Sequence, residues 1–112
     1  MTDDRRSHPR VSHAFDCRWF GKWGATEAEL DDLSATGCHV VCRLTTPSIG
    51  DSVDIEVLRT TKEPLALSGE VIQVERGVGF SVRFVELEAE IRDQIESLIA
   101  EARLSNRRAG GS

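Results

Sequence analysis

The sequence predicts a mainly β fold: six or so short antiparallel strands forming a barrel or sandwich, followed by one C-terminal amphipathic helix. Three observations carry this. Apolar and polar residues alternate in several short runs, the period-2 mark of half-buried strands. Clusters of Gly, Asp, Ser and Pro separate those runs and read as turns. After Val85 the period changes, and Leu87, Ile91, Ile95, Leu98 and Ile99 fall at helical spacing between charged residues.

In chain order, Phe15, Cys17 and Trp19 alternate with Asp16 and Arg18 as a first strand. Gly21 and Gly24 bracket Lys22-Trp23 and suggest a turn or bulge. Ala25–Leu30 fits either a second short strand or a brief helical turn. Asp31 to Gly37 is turn chemistry, because Asp and Ser side chains bond nearby amides and Gly opens conformations closed to other residues. Cys38–Leu44 reads as a strand, Thr45–Asp51 as a turn, and Val53–Val57 as a strand. Thr60–Glu63 is a polar hairpin leading to a strand from Leu65 to Val74, with Gly69 as its kink. A turn at Glu75-Arg76-Gly77 precedes the alternating run Val78–Phe84. The helix is expected over Glu86 to about Leu104, its apolar stripe covered by the open side of the barrel.

At 112 residues the chain suits a single domain, with 39% hydrophobic and 29% charged residues placing it among globular sequences. Residues 1–12 lack apolar periodicity and read as a flexible arm, 13–104 as the folded domain, and 105–112 as a frayed, disordered tail. No run of about eighteen apolar residues is present, which excludes a membrane-inserted helix. No apolar segment follows the N-terminal Met-Thr-Asp-Asp-Arg-Arg, so a signal peptide is not expected. With three cysteines this points to a cytoplasmic protein rather than a disulfide framework. A net charge of -5 disfavours DNA or RNA as a partner, yet leaves room for a small anionic ligand at a local basic cluster.

Such a cluster stands at the N-terminus: Arg6-Ser7-His8-Pro9-Arg10, an R-x-x-x-R spacing with Arg5 before it. A guanidinium presents a planar fork of donors that matches a phosphate, or the O6/N7 edge of guanine. Pro9 disfavours helix at His8, so the arginines ride on an extended segment. A second pattern is Asp32-x-Ser34-x-x-Gly37. A carboxylate can accept from the adjacent N1 and N2 donors of guanine, a hydroxyl can add a bond, and Gly37 permits close approach. Taken alone, the first pattern also reads as a solvated charge run and the second as an ordinary Asx or ST turn.

Taken in order, with Gly77-Val78-Gly79-Phe80 in a late strand and a closing helix, these motifs resemble the PilZ domain family over about residues 5 to 100. The five signature positions Arg6, Arg10, Asp32, Ser34 and Gly37 all match; Cys38 stands where a glycine or small residue is more usual. The resemblance implies a six-stranded antiparallel β-barrel of the split-barrel kind with a C-terminal amphipathic α-helix. It also implies a receptor for the second messenger cyclic di-GMP, with no cofactor. By motif match, Arg6 and Arg10 would grip guanine edges and phosphates, Asp32 and Ser34 would hold a guanine base, and Gly37 would shape the turn. Arg5 would accompany binding of an intercalated ligand dimer. The implied role is a non-catalytic bacterial sensor that signals by contact with a downstream protein, as a monomer or weak dimer. The alternative is a protein-interaction adaptor that binds no nucleotide.

Other candidates are weaker. Cys38 and Cys42 lie roughly 13 Å apart along a strand at about 3.3 Å per residue, too far to share a metal, and read as buried structural thiols. Pairing of Cys17 with His8, His13 or His39 has no orienting motif to make it a nucleophile. Trp19 and Trp23 share a strand face, suited to core packing and less to stacking on a base. No P-loop, dinucleotide fingerprint or H-E-x-x-H is present, and nothing demands an enzyme.

Overall fold

The computed structural model describes residues 14–22, 24–59 and 62–111, with side chains described as far as residue 102. Six strands and one helix follow in order: β1 (Phe15–Gly21), β2 (Gly24–Asp31), β3 (Gly37–Val41), β4 (Ser52–Val57), β5 (Leu65–Glu75), β6 (Gly79–Phe84) and α1 (Ala89–Gly111). All pairings are antiparallel and close into a barrel in the order β1-β2-β3-β6-β5-β4, with β1 returning onto β4. Barrel rather than sandwich is therefore the outcome, and closure removes the unpaired edges a sandwich would leave.

The alternation seen in the sequence sets the two faces. Cys17 and Trp19, Val53, Ile55 and Val57, Leu65, Leu67 and Val71, and Phe80, Val82 and Phe84 all point inward and are buried. Trp19 meets Phe80 edge-to-face with ring centroids 5.0 Å apart, which confirms core packing for that tryptophan. Trp23 lies outside the described residues. The apolar stripe of α1 completes the core through Ile95, Leu98, Ile99 and Ala102, with Leu87 and Ile91 packed beside them.

The undecided segment after the first turn is a strand. A two-residue loop between the paired Gly21 and Gly24 folds β2 directly onto β1, and that pairing overrides the helix-favouring Ala and Glu residues. Gly24 has φ 106, a conformation open to glycine at little cost. β3 stops at Val41 rather than Leu44, and Leu44 is almost fully exposed. Gly69 is not a kink: its missing Cβ admits the close approach of β6, since a Cβ there would lie 2.5 Å from the Arg83 carbonyl oxygen. The irregularity of β5 falls instead between Val71 and Gln73, where Ile72 is the extra residue of a β-bulge.

The helix begins later and ends later than its apolar spacing predicts. Glu86 has φ 49, left-handed backbone that an α-helix cannot contain, so the helical ladder opens with Arg92 N donating to Glu88 O at 3.0 Å. At the far end the backbone stays helical across 105–111, where composition predicts a frayed tail. Arg107, Arg108 and Ala109 favour helix, and the first glycine arrives only at Gly110. The expected N-terminal arm, 1–12, lies outside the described residues.

Candidate functional site

The Asp32–Gly37 loop joins β2 to β3. Asp32 occupies left-handed backbone, φ 55, which Asp tolerates better than most residues. Leu33 is fully buried and pins the loop to the core, a role its turn-like surroundings did not reveal. Ser34 is 3% exposed and organises the turn from within. Its Oγ accepts from Thr36 N at 3.2 Å, lies 3.1 Å from Thr36 Oγ1, and donates to Gly37 O at 3.4 Å. Its backbone N donates to the same carbonyl at 2.9 Å. These bonds make an ST-type turn, as the spacing suggested. Thr36 O in turn accepts from Phe84 N at 2.9 Å and ties the loop to the end of β6.

Gly37 is a packing requirement. A Cβ at that position would sit 2.3 Å from the Val82 carbonyl oxygen, so β3 and β6 could not keep their separation with any other residue there. Thus Asp32, Ser34 and Gly37 do converge, on one side of a pocket of about 430 Å³. That volume lies within the usual range of small-molecule sites, about 300–1,000 Å³.

The rest of the pocket comes from the outer face of the barrel. Register sets His39 beside Asp31 on β2 and Ser81 on β6, and Ser81 beside Gln73 on β5. His39, Ser81, Gln73, the bulge residue Ile72 and Arg83 all line the pocket. The His39 ring is held between two carboxylates: Nδ1 lies 3.1 Å from Asp31 Oδ1 and Nε2 3.6 Å from Glu75 Oε1. Arg83 reaches Glu70 Oε1 through Nη2 at 3.3 Å. Sequence motifs singled out none of Ile72, Gln73, Ser81 or Arg83. One signal was available: inward residues run Leu65, Leu67, Gly69, Val71 and then Val74, a one-residue slip in phase that marks the bulge.

Arg5, Arg6 and Arg10 lie outside the described residues. The point from which they are tethered is described. Phe15, at the start of β1, pairs with Leu30, next but one before Asp32. The chain segment carrying the arginines therefore joins the barrel at the same end as the Asp32–Gly37 loop.

The three cysteines are buried and free. Burial pushes the Cys17 thiol up to about 12, with smaller contributions from Cys42, Asp16 and Glu29. Burial likewise raises Cys38 far above an ordinary thiol. Cys17 and Cys38 are core side chains held neutral, not nucleophiles. Among the described residues no group of three or more His, Cys, Asp or Glu is arranged to hold a metal ion. No helix there is long and apolar enough to cross a membrane.

The fold recurs in solved structures. The PilZ domain of YcgR from Escherichia coli, solved with c-di-GMP, superposes with a TM-score of 0.84 at 17% identity, covering 96% of this chain and 98% of that one. The MrkH–c-di-GMP complex of K. pneumonia matches with a TM-score of 0.75 at 19% identity, covering 94% of this chain and 55% of that one. The Bacillus subtilis inhibitor of motility, MotI/DgrA, matches at 0.74 and 15% identity, with 92% and 53% covered. The chain thus spans about half of those two longer proteins. No curated protein matches it. The family model of the PilZ domain matches residues 4–101, which takes in the arginine cluster, the loop and most of the helix, and the chain belongs to the PilZ domain family.

Proposed function

We propose that this chain is a receptor for cyclic di-GMP, with Arg6 and Arg10 closing over a ligand seated against Asp32, Ser34 and Gly37, and Arg5 supporting a second, intercalated ligand. The observation that supports this best is the tether: β1 starts at the residue paired with Leu30, beside the loop. Arg10 stands five residues before Phe15, and an extended chain covers up to about 3.3–3.6 Å per residue, so the guanidinium can reach across the pocket mouth. Solved relatives with the same barrel carry c-di-GMP.

The chemistry fits the ligand. Cyclic di-GMP offers two phosphate charges and two flat guanines, and arginine both pairs with phosphate and stacks on a base. Charge-assisted hydrogen bonds contribute roughly 1.5–3 kcal/mol each, so three or four could support micromolar affinity, about -8 kcal/mol, after the cost of ordering the leader. A binding event of this kind changes the surface around the barrel end, and a downstream protein reads that change; no catalytic step is needed. The free thiols suit a reducing cytosol.

Isothermal titration with cyclic di-GMP tests the assignment. Saturable binding by the wild-type chain, lost in Arg10→Ala at unchanged thermal stability, is the expected result. No heat of binding with the folded wild type would leave the domain as a nucleotide-independent adaptor. Amide hydrogen exchange over residues 1–12 should slow when ligand is added, and unchanged exchange would count against closure of the arginine segment.

A further inference from the structure

We propose that Arg83 is a further phosphate-binding residue of this pocket, delivered by β6 and held in place before binding by Glu70. The inference rests on the cyclic di-GMP reading above and adds a residue that lies outside its sequence motifs. The register carries it. Arg83 pairs with Gly37 of the motif loop on one side and with Glu70 of β5 on the other. Its neighbours Val82 and Phe84 point into the core, so Arg83 points outward, and its side chain is 62% exposed. Its cross-strand neighbour on β3 is a glycine, so no side chain projects beside it from that position.

Charge makes the role specific. Of the described side chains that line the pocket, Arg83 is the one permanent cation. Asp32 is an anion, and His39 carries a carboxylate on each side, from Asp31 on β2 and Glu75 on β5. Without Arg83 a ligand with two phosphates would meet a wall of net negative potential on the barrel itself. Arg83 neutralises the ligand from the barrel wall itself.

Glu70 explains how the residue is kept ready. The Arg83–Glu70 pair is long, at 3.3 Å, and both side chains are substantially exposed, so it is weak and easily exchanged. It keeps the guanidinium extended along the sheet without burying it. A phosphate, which accepts a bidentate bond from the same fork, competes effectively for it. Glu70 is therefore a competitor that binding must displace.

The test is titration of cyclic di-GMP into wild type, Arg83→Ala, Arg83→Lys, Glu70→Gln and the double variant, with the thermal midpoint of each recorded. Arg83→Ala should weaken binding about tenfold or more, with Arg83→Lys recovering part of the loss. Glu70→Gln should tighten binding by roughly two- to fivefold, and that gain should vanish in the double variant, because the two residues act on one another. Undiminished binding by folded Arg83→Ala beside a binding wild type overturns this inference alone and leaves a plain cross-strand pair. Absence of binding by wild type overturns the receptor reading itself, and this inference with it.

Discussion

Among the described residues, two depressions of nearly equal size can be set side by side, about 430 Å³ beside the motif loop and about 410 Å³ beside the Gly21–Gly24 hairpin. They differ in what their walls are doing. The hairpin pocket is lined by Phe20, Lys22, Pro47, Asp51 and Asp54, among others, and its carboxylates are occupied with the fold. Asp51 Oδ2 accepts from Ser48 N at 3.0 Å, and Asp54 Oδ1 accepts from Ser68 Oγ at 2.7 Å. At the other pocket, a loop pinned by buried Leu33 and three neighbouring strands bring together Asp32, His39, Gln73, Ser81 and Arg83. Volume is common to both; the hairpin pocket gathers Lys22, Asp51, Ser52 and Asp54 from the end of β1 and the start of β4, whereas the motif pocket draws its polar groups from a loop and three strands, the wider convergence. That convergence is what marks a site on a small barrel.

The largest expected effect tests this contrast directly. Arg6→Ala and Arg10→Ala should each weaken cyclic di-GMP binding by roughly ten- to a hundredfold or abolish it, since each removes charge-assisted bonds worth about 1.5–3 kcal/mol. Lys22→Ala, which removes the cation of the hairpin pocket, should leave the affinity unchanged. If calorimetry shows Lys22→Ala as damaging as Arg10→Ala, the ligand sits at the wrong end of the molecule for the motif assignment.

Glycine substitutions sharpen the comparison through stability. Gly37→Ala puts a Cβ against the Val82 carbonyl oxygen and should cost about 1–3 kcal/mol as β3 and β6 are forced apart. The thermal midpoint should fall by roughly 4–8 °C for each kcal/mol in a domain of this size. Gly24→Ala at the hairpin meets nothing within 4 Å and suffers only from its φ of 106; its cost should be about 1 kcal/mol. Equal losses would mean that the loop end is less tightly packed than the register requires. Asp32→Ala should weaken binding by about tenfold at most, less than either leader arginine, because it removes an acceptor for a base and no cation for a phosphate.

How much of this was legible in the sequence follows from the range over which each signal acts. Alternation is local, so the strands led by Phe15, Val53, Leu65 and Val78 were readable, and the heptad-like spacing from Leu87 to Ile99 exposed the helix. Ala25–Leu30 was ambiguous because its strand character comes from pairing with β1 and not from its own Ala and Glu residues. The helix start was misplaced because left-handed backbone at Glu86 carries no residue-type signature. Within the site, the Asp32–Gly37 loop was readable as a contiguous motif. His39, Gln73, Ser81 and Arg83 were not, since they become neighbours only through the β2–β3–β6–β5 register and the bulge at Ile72. Pairing across a barrel is nonlocal information.

The smallest predicted effect asks how deep the motif pocket goes. Cys38 belongs to its wall by position, yet the residue is 4% exposed and its thiol faces the barrel interior with Cys17. A pocket that stops at the sheet leaves both thiols beyond reach of iodoacetamide in the native protein at pH 8, whereas a pocket that opens into the barrel exposes Cys38 first. Burial gives the same answer a pH dependence. An unfolded chain loses thiol protons from about pH 9, but folded Cys17 keeps its proton up to about 12. The stability held by these neutral thiols is complete below about pH 9 and is lost as the pH climbs towards 12, because only the unfolded state gains by deprotonation. The thermal midpoint of the wild type should therefore decline through that window, and Cys17→Ala should decline less steeply from its lower starting point. Fast native alkylation of Cys38, with a flat profile above pH 9, would show that the motif pocket is a channel into the core and that its lining was misassigned.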